Sequence, residues 1–351
     1  MNCKWQSKEN RNLKCNRHAD ESGYCIFHKP NKSERENILL EGYIKKGEIS
    51  DFTGFCFSRV FDINKVVKYD YEKLKFCESI FEKDVNFNGF IFEKSIDFSD
   101  VQFKGYADFR ESTFLDNCVF KNTIFNSKYI NEQIFEKTRF DGQKLIVERC
   151  AYFPRMDGVI FSPYTRFIFK GINYNEANSL CGRNNYKIAR IQAKQTEDNE
   201  NVGTYYYNER IYTSKFLKQK KYDGYKDYVY NNFFDFLAEK LMGYGEKPSK
   251  LLLTSAVIIS IFALIYMLTG LKTMDYGLVK LNLFNNTYSL EEIVIYYIDS
   301  WYFSMITFST VGFGDITVYG LIGKLFVCIE AFLGITIHAT WTSILFNRMI
   351  N

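Results

Sequence analysis

A strong charge of one sign is lacking in this sequence, in which 45 Lys and Arg residues stand against 41 Asp and Glu. The resulting net charge of +4 is too weak to indicate a nucleic-acid partner. Residues 1–30 are charged and contain no apolar core, so we expect no signal peptide. The nine cysteines show no arrangement typical of a secreted disulfide framework, which indicates a reducing compartment for the front of the chain.

Sequence signatures of catalysis are missing as well. The front half contains no Ser/His/Asp set, no catalytic metal motif and no phosphate-binding loop, so we expect no enzymatic activity. No helix-length segment is rich in arginine, which argues against a voltage-sensing helix. The sequence is instead rich in aromatic residues, with 34 Phe and 26 Tyr among 351 residues, a length that predicts more than one domain.

Five metal-ligating side chains lie within the first 32 residues: Cys3, Cys15, His18, Cys25 and His28. Their types and the two Cys-x2-His spacings suit a tetrahedral structural Zn²⁺ site, which needs only four ligands. Residues 24–30, Tyr-Cys-Ile-Phe-His-Lys-Pro, resemble the short zinc-binding heads at the N-termini of assorted bacterial proteins. That resemblance leaves His18 outside, so we predict Cys3, Cys15, Cys25 and His28 as ligands in a head formed by residues 1–32. The alternative is a disordered tail with free thiols.

From residue 42 to residue 174, phenylalanine recurs at a fixed interval. Two series repeat every eleven residues, so that the steps alternate between five and six: Phe81, Phe92, Phe103, Phe114 and Phe125 in one, and Phe76, Phe87, Phe98, Phe109 and Phe120 in the other. A strict repeat of this kind is typical of a solenoid, in which each unit stacks its apolar residues on those of its neighbours. An eleven-residue period can also mean a right-handed coiled coil. The Gly, Asn, Asp, Ser and Thr residues between the phenylalanines disfavour helix and exclude that alternative.

Residues 84–90, 95–103 and 106–114 resemble the pentapeptide-repeat family, in its eleven-residue variant. The resemblance implies a right-handed, roughly square β-helix and suggests a bacterial source. Acidic and basic residues are mixed along this region, which argues against an acidic rod that mimics DNA. We predict a scaffold or oligomerisation element, and the alternative is a ligand-binding domain.

Residues 176–230 contain two helical patterns around a polar turn at 197–201, and we predict an antiparallel helical hairpin that acts as a linker. A basic stretch follows, and it would either attract anionic lipid headgroups or form a solvated helix end. Its members are Lys215, Lys218, Lys220, Lys221 and Lys226. Residues 231–248 place Phe233, Leu237 and Leu241 on one stripe, which predicts an interfacial helix followed by a turn into the membrane.

Two long apolar runs lie in residues 249–351. The first, at 251–270, has no charge and is long enough to cross a bilayer. The second, at 321–346, is interrupted only by Lys324, Glu330 and His338. Residues 294–309, between them, are largely apolar and aromatic but lead directly into a glycine-containing loop. We therefore predict two transmembrane helices and, between them, a pore helix that enters the membrane and returns.

Residues 310–315, Thr-Val-Gly-Phe-Gly-Asp, follow the predicted pore helix. Rings of backbone carbonyls can replace the water around K⁺. The carbonyls point inward only if successive residues alternate between ordinary and left-handed backbone conformations, and glycine adopts the latter without steric cost. Gly312 and Gly314 have this spacing, Thr310 adds a hydroxyl at the inner end, and Val311 and Phe313 turn away to pack behind the loop. The sequence thus predicts a potassium selectivity filter.

Helix, pore helix, filter and helix, in that order, resemble the two-transmembrane potassium channel family over residues 249–348. The resemblance implies that the ion-coordinating oxygens come from Thr310, Val311, Gly312, Phe313 and Gly314. Asp315 would close the outer mouth, and Ser309, Trp301 and Tyr302 would support the filter. Phe313 stands where the family more commonly has tyrosine, which removes a bracing hydroxyl. Since one subunit supplies one filter segment, a closed pore requires a homotetramer.

The second apolar run contains the predicted gate. Gly334 stands where the family has its hinge glycine, and we predict that Ile335, His338 and Thr342 line the cavity. A ring of four His338 side chains could charge between about pH 5 and 8 and reduce outward current on acidification. The alternative is a neutral His338 packed against a pore helix. Glu330 is expected to form a hydrogen bond near the pore helix rather than to bind an ion.

Together these features predict a multidomain membrane protein: a small zinc-binding head, a right-handed β-helix, a helical linker and a tetrameric, α-helical, two-transmembrane pore domain. Lys247, Lys250 and Arg348 flank the runs on one side, so we expect a cell-membrane protein with both termini cytoplasmic. Because the sequence ends five residues after Phe346, control should come from an unknown ligand or protein at the N-terminal domain. We predict passive K⁺ conduction, and the alternative is a membrane-anchored scaffold or sensor whose pore is secondary.

Overall fold

The computed structural model describes residues 1–46, 49, 51–66, 74–219, 236, 238–239, 243–246, 248–273, 277–281 and 288–350, without the side chains of 279 and 347–350. The chain divides into two units, Met1–Lys221 and Tyr222–Asn351. The interfacial helix predicted within 231–248 lies largely outside the described residues. Lys220, Lys221, Lys226 and Lys247 lie outside them as well.

The first unit is built around a β-solenoid, whose strands pair in parallel with those of the next coil and form four faces within the described residues. The first face contains β1 (Cys56–Phe57), β3 (Ile80–Phe81), β7 (Gln102–Phe103) and β11 (Ile124–Phe125), and the second contains β2 (Phe61–Asp62), β4 (Val85–Asn86) and β8 (Ala107–Asp108). The third contains β5 (Ile91–Phe92), β9 (Thr113–Phe114), β12 (Arg139–Phe140) and β14 (Ile160–Phe161), and the fourth contains β6 (Ile96–Asp97), β10 (Cys118–Lys121), β13 (Lys144–Glu148) and β15 (Arg166–Lys170). The predicted solenoid is confirmed.

The phenylalanine series form stacked columns inside the solenoid. Phe81 pairs with Phe103 on the first face, and Phe92 pairs with Phe114 on the third. Their ring centroids are 5.3 Å and 4.6 Å apart, with the rings nearly parallel. Partners are thus two eleven-residue repeats apart, and one repeat spans only half a coil. The second series stacks in the same way, and all of these rings are buried.

The N-terminal head and helix α1 (Glu34–Lys45) precede the first coil. A capping box between Ser33 and Glu36 fixes the start of α1, and the helix includes residues 42–45, which the sequence prediction assigned to the solenoid. A short helix, α2 (Ile63–Val66), follows β2. The head joins the solenoid through the backbone, because the Cys56 N–H of β1 donates to the Phe27 carbonyl at 2.9 Å. The head therefore covers the first strand of the solenoid.

Helices α3 (Ser179–Gln195) and α4 (Asn199–Gln219) form the hairpin at the other end of this unit. They are antiparallel, as Arg190 near the end of α3 pairs with Glu209 of α4 at 2.6 Å. The hairpin packs on the last coil, where the Tyr205 hydroxyl accepts from the Phe169 N–H at 3.0 Å and donates to the Phe167 carbonyl at 3.2 Å. These groups of β15 would otherwise form an exposed strand edge. The hairpin is therefore a cap on the solenoid.

We expect Tyr205→Phe to destabilise the capped solenoid by about 1–3 kcal/mol, because it leaves the buried Phe169 N–H without its acceptor. The measurement is urea unfolding of the purified full-length protein in detergent. Tyr206→Phe is the matched control: the half-buried Tyr206 ring lies under Arg190 and remains in the variant, so we expect a change within about 0.5 kcal/mol. Equal losses in the two variants would contradict the capping role of the Tyr205 hydroxyl.

The second unit consists of three helices and a small antiparallel sheet within the described residues. The helices are α5 (Pro248–Thr269), α6 (Leu290–Phe308) and α7 (Gly320–Ile350), and a 3₁₀ turn at Gly243–Gly245 precedes them. The strands are β16 (Leu271–Thr273), β17 (Gly277–Val279) and β18 (Thr317–Val318), with β16 in the centre. By length and composition, α5 and residues Gly320–Phe346 of α7 could cross a membrane. Only 33% and 22% of these two apolar segments are buried in the single chain, unlike a soluble core helix, which is mostly buried.

The residues at the starts of α5 and α6 explain where these two helices begin. Pro248 opens α5, where a missing N–H has no cost. Ser289 and Glu292 form a capping box, so α6 begins at Leu290, four residues before the predicted pore-helix start at 294. The α7 helix begins at Gly320, directly after β18. The sheet therefore joins the end of α5 to the chain that leaves the predicted filter.

Candidate functional site

The four predicted metal ligands come together in the head. The Sγ atoms of Cys3, Cys15 and Cys25 and a ring nitrogen of His28 all lie within 4.8 Å of one another. The Cys25 Sγ is 3.2 Å from His28 Nδ1 and 3.8 Å from the Cys15 Sγ, and the Cys3 Sγ is 3.6 Å from His28 Nδ1. This group could hold a metal ion. His18 lies outside it, on an antiparallel bridge to Asn2.

The surroundings of the cluster hold the His28 ring in place. Its Nε2 lies 3.4 Å from the Thr53 carbonyl, which orients Nδ1 toward the three sulfur atoms. The Trp5 ring stacks on His28 with 4.4 Å between centroids. Trp5 in turn lies against Gly54, where a Cβ would come within 2.2 Å of the indole. The cluster therefore belongs to the head, and the start of the first coil supplies part of its surroundings.

Burial changes the proton affinities of two members of the cluster. It lowers the pKa of His28 to about 4, so the imidazole is neutral at pH 7 and its Nδ1 can act as a ligand. Burial also raises the pKa of Cys25 to about 12, so that thiol remains protonated unless a cation displaces the proton. The Cys25 N–H also donates to the Cys3 Sγ at 3.2 Å, which fixes the position of that sulfur in the cluster. The donor set suits a soft cation that deprotonates the thiols on binding.

In the second unit, the end of α6 leads into residues 310–315 through a sharp change of backbone. Val311 N–H and Gly312 N–H both donate to the Ile306 carbonyl, at 3.0 and 3.3 Å. Thr310, Gly312 and Gly314 have φ values of 58°, 56° and 83°, so every second residue is left-handed. Two of these three positions carry glycine, which adopts this conformation without strain. Successive carbonyls of this segment can therefore be turned the same way.

Some side chains around residues 310–315 are held by hydrogen bonds, and others are exposed. The Tyr302 hydroxyl of α6 donates to Asp315 Oδ2 at 2.8 Å and fixes the end of the segment. The Ser309 Oγ donates to the Ile306 carbonyl at 3.3 Å, and Trp301 is at the surface. Val311 and Phe313 are 55% and 70% exposed, so one chain leaves most of each side chain uncovered. Their predicted packing behind the filter needs atoms from outside this chain.

The α7 helix crosses the end of α6 at Gly334. A Cβ on Gly334 would lie 2.0 Å from the Phe308 carbonyl oxygen, so only glycine permits this approach. The helix is continuous at Gly334, the predicted hinge. The absence of a side chain at Gly334 permits the close contact with Phe308. The ring of His338, one turn later, lies 5.7 Å from that of Phe308, and its Nδ1 is 2.8 Å from the Gly334 carbonyl.

The other predicted cavity residues face outward in the single chain. Ile335 is 57% exposed, and Thr342 is also exposed. The Thr342 Oγ1 donates to the His338 carbonyl at 3.0 Å, a bond within the helix. These positions are available to line a cavity between chains, which a single chain does not enclose.

Sequence reasoning missed three residues of this unit: Tyr266, Ser304 and Phe308. Tyr266 and Ser304 are polar side chains inside apolar helices, and this was the signal that could have found them. Both contact Glu330, whose predicted hydrogen bond near the pore helix is confirmed. Phe308 acts through its backbone carbonyl, for which the sequence carries no signal.

A known protein family matches the C-terminal part of the chain. Residues 257–351 match the family model for ion channels. The match includes most of α5 and all of α6, residues 310–315 and α7. No curated protein and no solved structure matches the chain. The ion-channel match and the solenoid together confirm the predicted resemblance, a two-helix channel unit preceded by a β-solenoid. This family indicates a membrane protein that works as an oligomer in a lipid bilayer.

Proposed function

We propose that this chain is the subunit of a potassium-selective channel, with residues 310–315 as its selectivity filter. The alternation of left-handed residues at Thr310, Gly312 and Gly314 carries the proposal. Such a backbone presents successive carbonyls to one axis, where they take the place of the water around K⁺. The carbonyl end of α6 directly precedes the filter, and the partial negative charge of a helix C-terminus favours a cation there. Conduction is passive, so the function requires no catalytic residue.

Four chains would assemble around this axis. One chain contributes one filter segment, and a ring of carbonyls needs several copies related by a closed rotation. The exposure of Val311, Phe313 and Ile335 supports assembly, since these apolar side chains lack cover in one chain. In the tetramer, Ile335, His338 and Thr342 would line the cavity below the filter. The termini would be cytoplasmic in the cell membrane, with the first unit assembling or regulating the pore in response to a cytoplasmic partner.

We infer that the metal of the head is Zn²⁺ in a structural role. Tetrahedral zinc with bonds of about 2.3 Å to sulfur and 2.0–2.1 Å to nitrogen separates two sulfurs by about 3.8 Å and a sulfur from a nitrogen by about 3.6 Å. The Cys15–Cys25 distance of 3.8 Å and the Cys3–His28 distance of 3.6 Å agree with these values, whereas the Cys25–His28 distance of 3.2 Å is shorter and would lengthen on metal binding. Four protein ligands leave no open position for a substrate. Bound zinc would hold the head closed over the first coil.

The function is tested with the purified full-length protein in liposomes. We expect K⁺ flux in a large excess over Na⁺ flux, and we expect Gly312→Ala to abolish the K⁺ selectivity. A side chain at φ 56° is strained by about 1–2 kcal/mol even though a Cβ there would meet no atom within 4 Å. Gly42→Ala is the matched control, because a Cβ on Gly42 also meets no atom but the residue is helical.

Absence of K⁺ flux from the wild-type protein, or equal K⁺ and Na⁺ permeability, would contradict the proposal. If Gly312→Ala changed neither flux nor selectivity, the segment would not be the filter. The membrane part would then act mainly as an anchor for a scaffold or sensor.

A further inference from the structure

Glu330 of α7 is the one carboxylate in the described part of the second unit that is completely buried, with 0% exposure. It lies where α5, α6 and α7 meet. The Tyr266 hydroxyl of α5 donates to Glu330 Oε2 at 2.6 Å. The Ser304 Oγ of α6 forms a hydrogen bond with the other oxygen, Oε1. The same Ser304 Oγ lies 2.9 Å from the Ile259 carbonyl of α5. One carboxyl group therefore connects all three helices.

A count of protons shows which form of Glu330 fits these contacts. Three hydrogen bonds are present, and each needs one proton. Tyr266 and Ser304 have one hydroxyl proton each. The Ile259 carbonyl can only accept, so Ser304 must donate its proton there. The contact between Ser304 Oγ and Glu330 Oε1 then requires a proton on the carboxyl group. A neutral carboxylic acid makes all three bonds, whereas a carboxylate leaves one contact without a proton.

The groups around Glu330 also favour the neutral carboxylic acid. None of the ion pairs between described residues includes Glu330. The polar groups that reach it are the hydroxyls of Tyr266 and Ser304, both uncharged. A carboxylate buried at membrane depth without a cation would carry a large desolvation cost. A neutral acid avoids that cost and keeps its hydrogen bonds.

We propose that Glu330 is an uncharged carboxylic acid that positions the pore helix. Ser304 lies four residues before Phe308 and six before Thr310, on the helix that leads into the filter. By holding Ser304 against α5 and α7, the acid fixes the depth at which the filter begins. The role in conduction rests on the proposed channel function, whereas the protonation state does not.

The test compares Glu330→Gln with Glu330→Ala in the full-length protein in liposomes. Glutamine is uncharged, and its amide can donate to Ser304 while its oxygen accepts from Tyr266. We therefore expect Glu330→Gln to keep wild-type K⁺ flux, and Glu330→Ala to lose at least about tenfold, since buried hydroxyls lose their partner. In infrared spectra, the wild type should show the carbonyl stretch of a protonated acid, and Glu330→Gln should lack it. Glu291→Gln, at an exposed position of α6, should leave that band unchanged.

Loss of flux in Glu330→Gln with the fold intact would mean that a negative charge is required, and it would overturn the proposal. An infrared band that is absent from the wild type, or unchanged in Glu330→Gln, would overturn it as well. If the wild type conducts no K⁺, the proposed function fails, but the infrared comparison still decides the protonation state of Glu330.

Discussion

We expect Gly334→Ala to reduce K⁺ flux by at least about tenfold, a large loss for a substitution outside the filter. The new Cβ would lie 2.0 Å from the Phe308 carbonyl oxygen, whereas ordinary contact begins at 3.4 Å, so α7 must move away from α6 by about 1.4 Å. Overpacking of this kind costs about 1–3 kcal/mol, and about 1.4 kcal/mol corresponds to a factor of ten. Because Phe308 is two residues before Thr310, the displacement reaches the start of the filter. The measurement is K⁺ flux in liposomes.

Gly323→Ala provides a matched control within the same helix. Its Cβ would meet Val318 Cγ2 at 2.1 Å, but this atom is a side-chain methyl of a short strand, which can shift more readily than a backbone oxygen at the end of a packed helix. We expect Gly323→Ala to retain most of the wild-type flux. If Gly334→Ala conducts as well as Gly323→Ala, the close approach of α7 to Phe308 is not needed for conduction.

We expect the second large effect from Cys25→Ser, which should lower the melting temperature of the first unit by about 10 °C or more. Loss of a structural metal is among the changes that exceed about 4 kcal/mol. About 1 kcal/mol moves the melting temperature of a domain of 150–250 residues by about 2–4 °C. The melt can be followed by tryptophan fluorescence in the full-length protein, because Trp5 stacks directly on His28. Zinc content, measured by elemental analysis, should fall from one ion per chain to a small fraction.

His18→Ala is the control for this experiment, because His18 lies outside the cluster although it shares the Cys-x2-His spacing. We expect it to keep both its zinc and its melting temperature. Chelation of the wild type should reproduce the Cys25→Ser melt. Zinc retained by Cys25→Ser, or lost from His18→Ala, would show that the ligand set is wrong.

The sequence predicts the solenoid because its Phe spacing is strict, but it does not predict how many repeats form one coil. An eleven-residue period is compatible with a coil of one repeat or two, and only the pairing of Phe81 with Phe103 decides between them. The helical hairpin at 179–219 was also predictable from its apolar spacing. Its role as a cap was not, because Tyr205 acts on backbone groups of β15 that the sequence does not display.

In the channel segment, too, some features can be predicted from the sequence and others cannot. Apolar runs and the glycine spacing at 312 and 314 predict the order of helix, pore helix, filter and helix. The contact of Gly334 with Phe308 depends on how closely two helices approach, which no spacing rule gives. Likewise, His28 could be chosen over His18 only by resemblance, because both follow a cysteine at the same interval. In the structure, the approach of His28 to three sulfur atoms makes that choice directly.

The solenoid has a cover at each end, since the head bonds to β1 and the hairpin bonds to β15. Strand edges are the route by which β-structures add further copies end to end. With these two edges occupied, copies of this unit cannot add end to end through β1 or β15. Side chains on the lateral faces can change without altering the stacked Phe interior, so specificity for another molecule can vary there while the fold is kept.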